Sequence, residues 1–182
     1  MSDIYLKIDG VDGDVTDDKY KKHVQVFSLD LGGTNPSSVS VGTQAGSAAG
    51  GGKVILEDVT FEKVLDRATP HLTSHFFQGK HFKSFEFKYV ISRGNSSDEF
   101  KTVKLTDVLV TGFHHTGEGD EPDDKASGKA GAGKGRSIGG LPREKISLNF
   151  ARIELSYKPR KADGGFDNAL KSGYDVAAAK AI

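Results

Sequence analysis

The sequence has no cysteine, no excess of charge of either sign and no long hydrophobic run. Without cysteine the chain can form neither a disulfide framework nor a thiolate site. Lysine plus arginine and aspartate plus glutamate each number 25 in 182 residues, so the formal net charge is zero. Nucleic-acid-binding proteins usually carry a basic excess or a basic stripe. We therefore expect no nucleic-acid partner and no broad electrostatic attraction to a membrane.

The shortness of the apolar segments bears on membrane insertion and export. The longest apolar run is Val-Ala-Ala-Ala at 176–179, whereas a membrane-spanning helix needs about 20 predominantly apolar residues. Residues 1–5 lack the basic stretch and apolar core of a secretory signal peptide. We expect no membrane insertion, synthesis in the cytoplasm, and any export by a route that reads no N-terminal signal.

Strand patterns dominate the chain. Apolar and polar residues alternate in five stretches, at 4–8, 24–31, 85–91, 103–113 and 146–157. The alternation slips by one residue between Val26 and Phe27, and again between Phe150 and Ile153. Such slips are typical of a β-bulge or of the sharply bent strands of a small closed barrel. The sequence predicts one mainly β domain, a length of 182 residues being enough for a sizeable core.

One short α-helix is predicted after residue 68. Thr69 can cap its N-terminus, and Pro70 suits the first helical position, where its missing N–H is not needed. Leu72 and Phe76 are four residues apart on one face, and Gly79 can end the helix in a left-handed conformation. We expect two to three turns with one narrow apolar stripe.

Two long loops separate the patterned segments. The first, at about 32–52, is rich in glycine and carries Val39 and Val41, which a partner could bury, so we interpret it as an extended binding loop. The second, at about 116–143, is polar, with an acidic part followed by a basic part. Unstructured loops longer than about 12–15 residues are usually functional or disordered. We expect the second loop to be mobile.

No segment predicts nucleotide binding. Residues 128–134 have the spacing of a phosphate-binding loop, but Gly135 stands where the motif needs Ser or Thr. Residues 46–53 also depart from the motif and lead into a strand, so no helix N-terminus would face a phosphate. Both segments are better explained as flexible loops.

The histidines do not predict a metal or catalytic site. His71 and His75 lie one turn apart on the predicted helix, but no glutamate of a metalloprotease motif separates them. His114 and His115 end a strand and point to opposite faces. No Gly-x-Ser-x-Gly turn occurs, and no pair stands out among the 25 acidic residues. We predict no enzyme activity, no cofactor and no metal.

Several short segments, in order, resemble one known family. Phe61, Lys63 and Asp66, followed by Thr-Pro-His-Leu at 69–72, fit a signature of that family. The other matching segments are the opening strand and turn at 4–13, Gly-Gly-Gly-Lys-Val at 50–54, Gly-Lys-His-Phe at 79–82, and the segments 148–151, 157–164 and 173–175. The chain resembles the haemolysin-coregulated (Hcp) proteins, the tube-forming subunits of bacterial type VI secretion systems.

This resemblance implies a two-sheet β-barrel with one short helix, with residues 1–182 as a single domain. It implies a homohexameric ring that stacks into a tube, sheath and spike proteins as partners, effectors in the lumen, and secretion without a cleaved signal peptide. The extended loop would reach a neighbouring subunit or ring. The residues expected at that interface are Asn35, Pro36, Val39, Val41 and Thr43.

Two alternative functions remain open, and one loop differs from what the resemblance leads us to expect. The chain could be a monomeric barrel that binds a small ligand or a glycan, or, with less support, an enzyme. The polar loop at 116–143 is longer than the resemblance leads us to expect. It is either a tolerated insertion on the outer surface or a contact for the sheath, the baseplate or an effector.

Overall fold

The computed structural model describes residues 2–36, 54–93, 96–117, 141–162 and 164–182. These residues form eleven strands and one helix. The elements are β1 (Ser2–Ile8), β2 (Val24–Val26), β3 (Ser28–Asp30), β4 (Gly33–Thr34), β5 (Ile55–Leu56), β6 (Val59–Val64), α1 (Thr69–Gln78), β7 (His81–Arg93), β8 (Ser96–Thr116), β9 (Arg143–Tyr157), β10 (Leu170–Asp175) and β11 (Lys180–Ala181). The predicted mainly β fold with one short helix is confirmed.

Nine strands form one antiparallel sheet, and β4 and β5 form a second sheet of two strands. The main path runs β11-β10-β9-β8-β7-β1-β2, while β6 pairs with both β9 and β3. The segment 24–30 changes neighbour at Phe27: β2 pairs with β1, and β3 pairs with β6. The Phe27 N–H donates to the Glu62 carbonyl at 2.8 Å. The predicted slip at Phe27 is therefore confirmed, and it interrupts an otherwise continuous ladder around the core.

A second irregularity crosses β7, β8 and β9 in one line. Inward-facing residues change phase between Leu105 and Val108 on β8, and between Phe150 and Ile153 on β9. Leu105 pairs with Ile153, and Val108 pairs with Phe150, so both strands shift at the same level. Asp107 lies between them with φ of 54°, in the left-handed region that non-glycine residues rarely adopt. The predicted slip in β9 is thus one part of a bend shared by neighbouring strands.

The core consists of the inward-facing side chains of these strands together with Leu72 of α1. Phe61 is central: its ring centroid lies 5.4 Å from that of Phe87 and 6.5 Å from that of Phe85, both in edge-to-face arrangements. Burying each such side chain contributes about 1.5–3 kcal/mol. The register also corrects the alternation expected at 85–91. Because β7 and β8 shift register between Tyr89 and Val90, Val90 is fully buried.

The helix agrees with the sequence pattern at its C-terminus but not at its N-cap. Pro70 lies in the first turn, and Gly79 ends the helix with φ of 61°. The N-cap is Ala68, without a side-chain capping bond, so the prediction that Thr69 caps the helix was wrong. The Thr69 hydroxyl is instead engaged by buried charged groups described below. Helix α1 packs against β8, and Leu72 and Phe76 form the expected inward stripe.

Candidate subunit interface

The extended loop leaves and rejoins the sheet through a short paired stem. Strands β4 and β5 pair through Gly33 with Leu56 and Thr34 with Ile55. The Glu57 N–H donates to the Gly32 carbonyl at 3.0 Å, which extends the pairing toward β6 of the main sheet. We call residues 31–57 the arm. The predicted loop at 32–52 therefore begins with paired residues.

Two of the five predicted interface residues lie in the described part of the arm. Asn35 and Pro36 directly follow β4, and both are exposed. Val39, Val41 and Thr43 lie outside the described residues. The exposure of Asn35 and Pro36 leaves them accessible to a neighbour, and their contact with one stays a prediction.

The other end of β6 carries a buried network of charged side chains. Lys63 Nζ lies 2.6 Å from Glu144 Oε2 and 2.7 Å from Asp66 Oδ1, and both Lys63 and Glu144 are fully buried. Lys63 Nζ also donates to Thr69 Oγ1 at 2.8 Å, and that hydroxyl donates to Glu144 Oε2 at 2.7 Å. The network joins β6, the start of α1 and the start of β9.

The sequence signature contains most of this network, although its role was not predicted. Lys63 follows Val59 and Phe61 at inward-facing positions of β6, and a buried lysine needs an anionic partner. That pattern could have indicated a buried ion pair. It could not have identified Glu144, because the register between β6 and β9 brings these residues together across 81 positions (144 minus 63) of the chain.

The histidines take part in local contacts. The His75 ring stacks on Phe82 with centroids 3.9 Å apart, and its Nδ1 lies 2.9 Å from the His71 carbonyl oxygen. His115 Nδ1 lies 3.3 Å from Glu144 Oε1. Within the described ranges, no group of three or more His, Cys, Asp or Glu side chains could hold a metal ion. In the same ranges, no helix has the length and apolar character needed to cross a membrane.

A cleft of about 380 Å³ opens beside this network. It is lined by Tyr5, Asp14, Val15, Thr16, Asp17, Gln25, Val64, Leu65, Asp66 and Leu141. Leu65 is 37% exposed and Leu141 is 45% exposed, so both offer apolar surface to a partner. The Leu65 N–H donates to the Pro142 carbonyl at 3.0 Å, which holds these two walls together.

The acidic groups of the cleft already have partners. Asp14 accepts hydrogen bonds from the backbone N–H and the Nε of Arg67, at 3.2 and 2.6 Å. Asp17 Oδ1 accepts the backbone N–H groups of Lys19 and Tyr20. Burial, together with the nearby charges of Asp3 and Asp17, raises the pKa of the Tyr5 phenol above its ordinary value. The phenol at the cleft wall is therefore neutral at physiological pH.

The arm and the cleft lie at opposite ends of β6. The hydrogen bond from the Glu57 N–H to the Gly32 carbonyl lies just before β6 begins. Leu65 of the cleft directly follows the last residue of β6. The eight steps from Glu57 to Leu65 span about 26 Å at the rise of an extended strand. The paired stem of the arm thus lies at one end of β6, and the cleft lies at the other.

Known proteins of one family are similar to this chain in sequence and in fold. A family model described as type VI secretion system effector, Hcp, matches residues 5–157. The chain is 29% identical over 125 residues to Protein hcp1 of Pseudomonas aeruginosa. That alignment covers 68% of this chain and 66% of that protein, slightly less than two thirds of its length.

Solved structures give the same result at the level of the fold. A type six secretion system protein is similar with a TM-score of 0.80 at 25% identity, with both chains covered in full. Hcp1 from Salmonella typhimurium is similar with a TM-score of 0.67 at 26% identity, covering 100% of this chain and 99% of that one. Since the family model matches far more than half of the sequence and the fold agrees over the whole chain, this protein belongs to the Hcp family of type VI secretion system effectors.

Proposed function

We propose that this chain is a structural tube subunit of a type VI secretion system. Copies assemble into homohexameric rings, the rings stack into a tube, and the tube is secreted without a cleaved signal peptide. Its partners are other copies of itself, the sheath and spike proteins of the apparatus, and effectors carried in the lumen. Family membership supports the assignment, because the matched relatives are Hcp proteins of type VI systems.

The observation that carries the proposal is the placement of the arm and the cleft at opposite ends of β6. Assemblies built from two different patches on each subunit grow by head-to-tail contacts, which form closed rings or open stacks. A subunit with two different surfaces at opposite ends of one strand suits such stacking. This role requires neither a cofactor nor a catalytic residue.

The oligomeric state tests the proposal directly. Light scattering of the purified chain should give a mass near six times 19.5 kDa, and negative-stain images should show rings with a wide lumen. A mass of one subunit at every concentration would contradict the proposal and would favour a monomeric barrel that binds a ligand or a glycan. Rings with a subunit number other than six would support ring formation and contradict the predicted hexamer.

A further inference from the structure

We propose that the C-terminal end of α1 docks in the cleft of a second copy of this chain, the copy stacked next to it. We call Phe77, Gln78 and Lys80 the helix-end patch. The inference rests on the proposed function, because it needs copies that stack. It adds to that function a pair of contact surfaces that both lie in the described part of the chain.

The helix-end patch and the cleft lie at opposite ends of β6. Helix α1 begins three residues after Asp66, which lines the cleft. Directly after the patch, His81 pairs with Leu109, and Leu109 pairs with Asn149. The Asn149 side-chain amide donates to Asp58, the residue before β6, at 2.8 Å. When two copies stack in the same orientation, the helix-end patch of one therefore faces the cleft of the next.

The geometry of α1 excludes contact between the patch and the cleft of the same copy. The helix has ten residues, which span about 15 Å. It packs against β8, so its C-terminal end cannot turn back to the cleft beside its first turn. Contact between these two surfaces requires two copies.

The first complementarity is apolar. Phe77 is 78% exposed, more than any other large apolar side chain in the described ranges. Aromatic side chains that fill a pocket on the partner dominate the binding energy of many interfaces. A cavity of about 150 Å³ can hold a benzene ring, and the cleft, with Leu65 and Leu141 on its walls, has about 380 Å³. The Phe77 ring therefore fits in the cleft with room for its neighbours.

The second complementarity is charge, and it begins with a basic helix-end patch. Residues 69–85 contain no aspartate or glutamate. Lys80 is exposed, and no described carboxylate lies within ion-pair distance of it. The nearby Asp107 is paired with His81, whose Nδ1 lies 2.7 Å from Asp107 Oδ1. Lys80 is thus available to an anionic partner.

The cleft carries the opposite charge. Residues 9–18 include five aspartates and no lysine or arginine. Asp14 is engaged by Arg67, whereas Asp17 accepts only backbone N–H groups among the described residues. Opposite charges across an interface fix its register and exclude wrong partners. With Phe77 inside the cleft, Asp17 is the carboxylate that suits Lys80.

Charge also explains why the patch favours this cleft over another apolar groove. That groove includes Leu31 and Leu170 among its lining residues. Its charged lining residues are Lys101 and Lys171, and both would repel Lys80. We call this surface the basic groove and use it as the control in the experiment.

Introduced cysteines provide the test, since the chain has no cysteine of its own. Gln78 belongs to the helix-end patch, and Thr16 is an exposed residue that lines the cleft. The double variant Gln78→Cys with Thr16→Cys leaves Phe77, Leu65 and Leu141 in place. In concentrated protein under mild oxidation it should give a ladder of covalent species on a non-reducing gel. The ladder should continue beyond six subunits, because stacks are open-ended.

Two controls accompany this variant. Gln78→Cys protein mixed with Thr16→Cys protein should give covalent dimers and nothing longer. Gln78→Cys combined with Leu170→Cys places the second thiol in the basic groove, where Leu170 is 65% exposed. That pair should give little product.

Substitutions in the double-cysteine background test the two complementarities. Phe77→Ala and Lys80→Glu should each reduce the yield of the ladder several-fold, whereas Lys171→Glu, in the basic groove, should leave it unchanged. Gln25→Lys places a cation in the cleft and should also reduce the yield. Lys80→Glu combined with Gln25→Lys should restore the ladder, because the two charges are then opposite again. Restoration is a result that misfolding of either variant would not give.

The outcomes separate the inference from the proposed function. A ladder that stops at six would place the contact between neighbours in one ring, and rings that give no ladder would show that the two surfaces do not meet. Equal product with Leu170→Cys, or an unchanged ladder in both Phe77→Ala and Lys80→Glu, would show that docking is not specific to the cleft. Each of these results overturns the inference and leaves the rings intact. Absence of rings in the parent chain by light scattering would contradict the proposed function instead.

Discussion

Lys63 Nζ and Glu144 Oε2 lie 2.6 Å apart, and neither side chain is accessible to solvent. The pair joins β6 to β9 in direct register, next to the point where α1 begins. Taking two charges out of water is costly, and the pairing offsets that cost only with good geometry and further hydrogen bonds. Asp66 and Thr69 supply those bonds. The contact therefore fixes β6, α1 and β9 relative to one another beside the cleft.

Removing one partner of this pair should be strongly destabilising. We expect Lys63→Met to lower the free energy of unfolding by about 3–5 kcal/mol, because Glu144 would be left buried without its cation. The double variant Lys63→Met with Glu144→Leu should recover part of the loss. Urea unfolding followed by circular dichroism measures both effects.

The exposed pair between Lys22 and Asp12 provides the control for that experiment. Its side chains are 63% and 51% exposed, and exposed pairs contribute about 0–1 kcal/mol. Lys22→Met should therefore change the unfolding free energy by no more than about 1 kcal/mol. Equal effects of Lys63→Met and Lys22→Met would show that the buried network does not stabilise the fold in the way described.

The turn after β1 should not tolerate a side chain at Gly13. A Cβ at this position would lie 2.3 Å from the carbonyl oxygen of His23, which belongs to the backbone and cannot rotate away. The Gly13 N–H also donates to the Lys22 carbonyl at 2.7 Å. We expect Gly13→Ala to cost about 1–3 kcal/mol, the range for a forced backbone shift.

Gly117→Ala is the matched control for the Gly13 variant. A Cβ there would meet Pro142 at 3.4 Å, an ordinary contact distance. Its thermal unfolding midpoint should stay close to that of the parent chain, whereas the midpoint of Gly13→Ala should fall by several degrees. A midpoint of Gly13→Ala equal to that of Gly117→Ala would show that the turn adjusts without cost.

Asp175 should contribute to the loss of stability in acid. Hydrogen bonds from the Ala178 N–H and from Arg152 favour its charged form and hold its pKa below the ordinary value of 3.8. Because the folded-state pKa is depressed, the stabilisation is present above the unfolded-state value and is lost as pH falls through the lower folded-state value. Asp175→Asn should be less stable than the parent at pH 6.

The same comparison at low pH tests the sign of the effect. The stability difference between the parent and Asp175→Asn should shrink as pH falls below about 4, measured by urea unfolding at a series of pH values. A difference that stays constant with pH would indicate that the aspartate stabilises the β10–β11 turn without being ionised.

The helix shows which features the sequence can predict. Pro70 and Gly79 act through their own backbone preferences, so their positions predicted the start and end of α1. The prediction that Thr69 caps the helix was wrong because its hydroxyl donates to Glu144, a residue that is far away in sequence. A capping preference is a local property, and here a tertiary contact overrides it.

The strands that escaped prediction lack a local pattern. β10 reads Leu-Lys-Ser-Gly-Tyr-Asp, without the alternation of a half-buried strand, and it forms because β9 offers a free edge. Its Gly173 leaves room for Ile182, whose Cγ1 would lie 2.7 Å from a Cβ at that position. Such a strand depends on its neighbours for its existence, so a single sequence does not reveal it.

The two parts of the candidate interface, the arm and the cleft, also differ in how far the sequence alone predicts them. The arm is one continuous glycine-rich stretch, so the sequence alone indicated its position, and contact of Asn35 and Pro36 with a neighbour stays a prediction. The cleft combines Asp14, Leu65 and Leu141, which come from three distant segments. Only the fold brings these residues together, and no spacing in the sequence predicts them.

The order in which the chain passes through β6, from arm to cleft, gives the proposed stack a direction. Every ring would face the same way, so the tube would have polarity, like an actin filament. The two termini of the tube would therefore expose different surfaces of the subunit. A protein that caps the tube would therefore need a different complementary surface at each terminus, and one cap could not serve both.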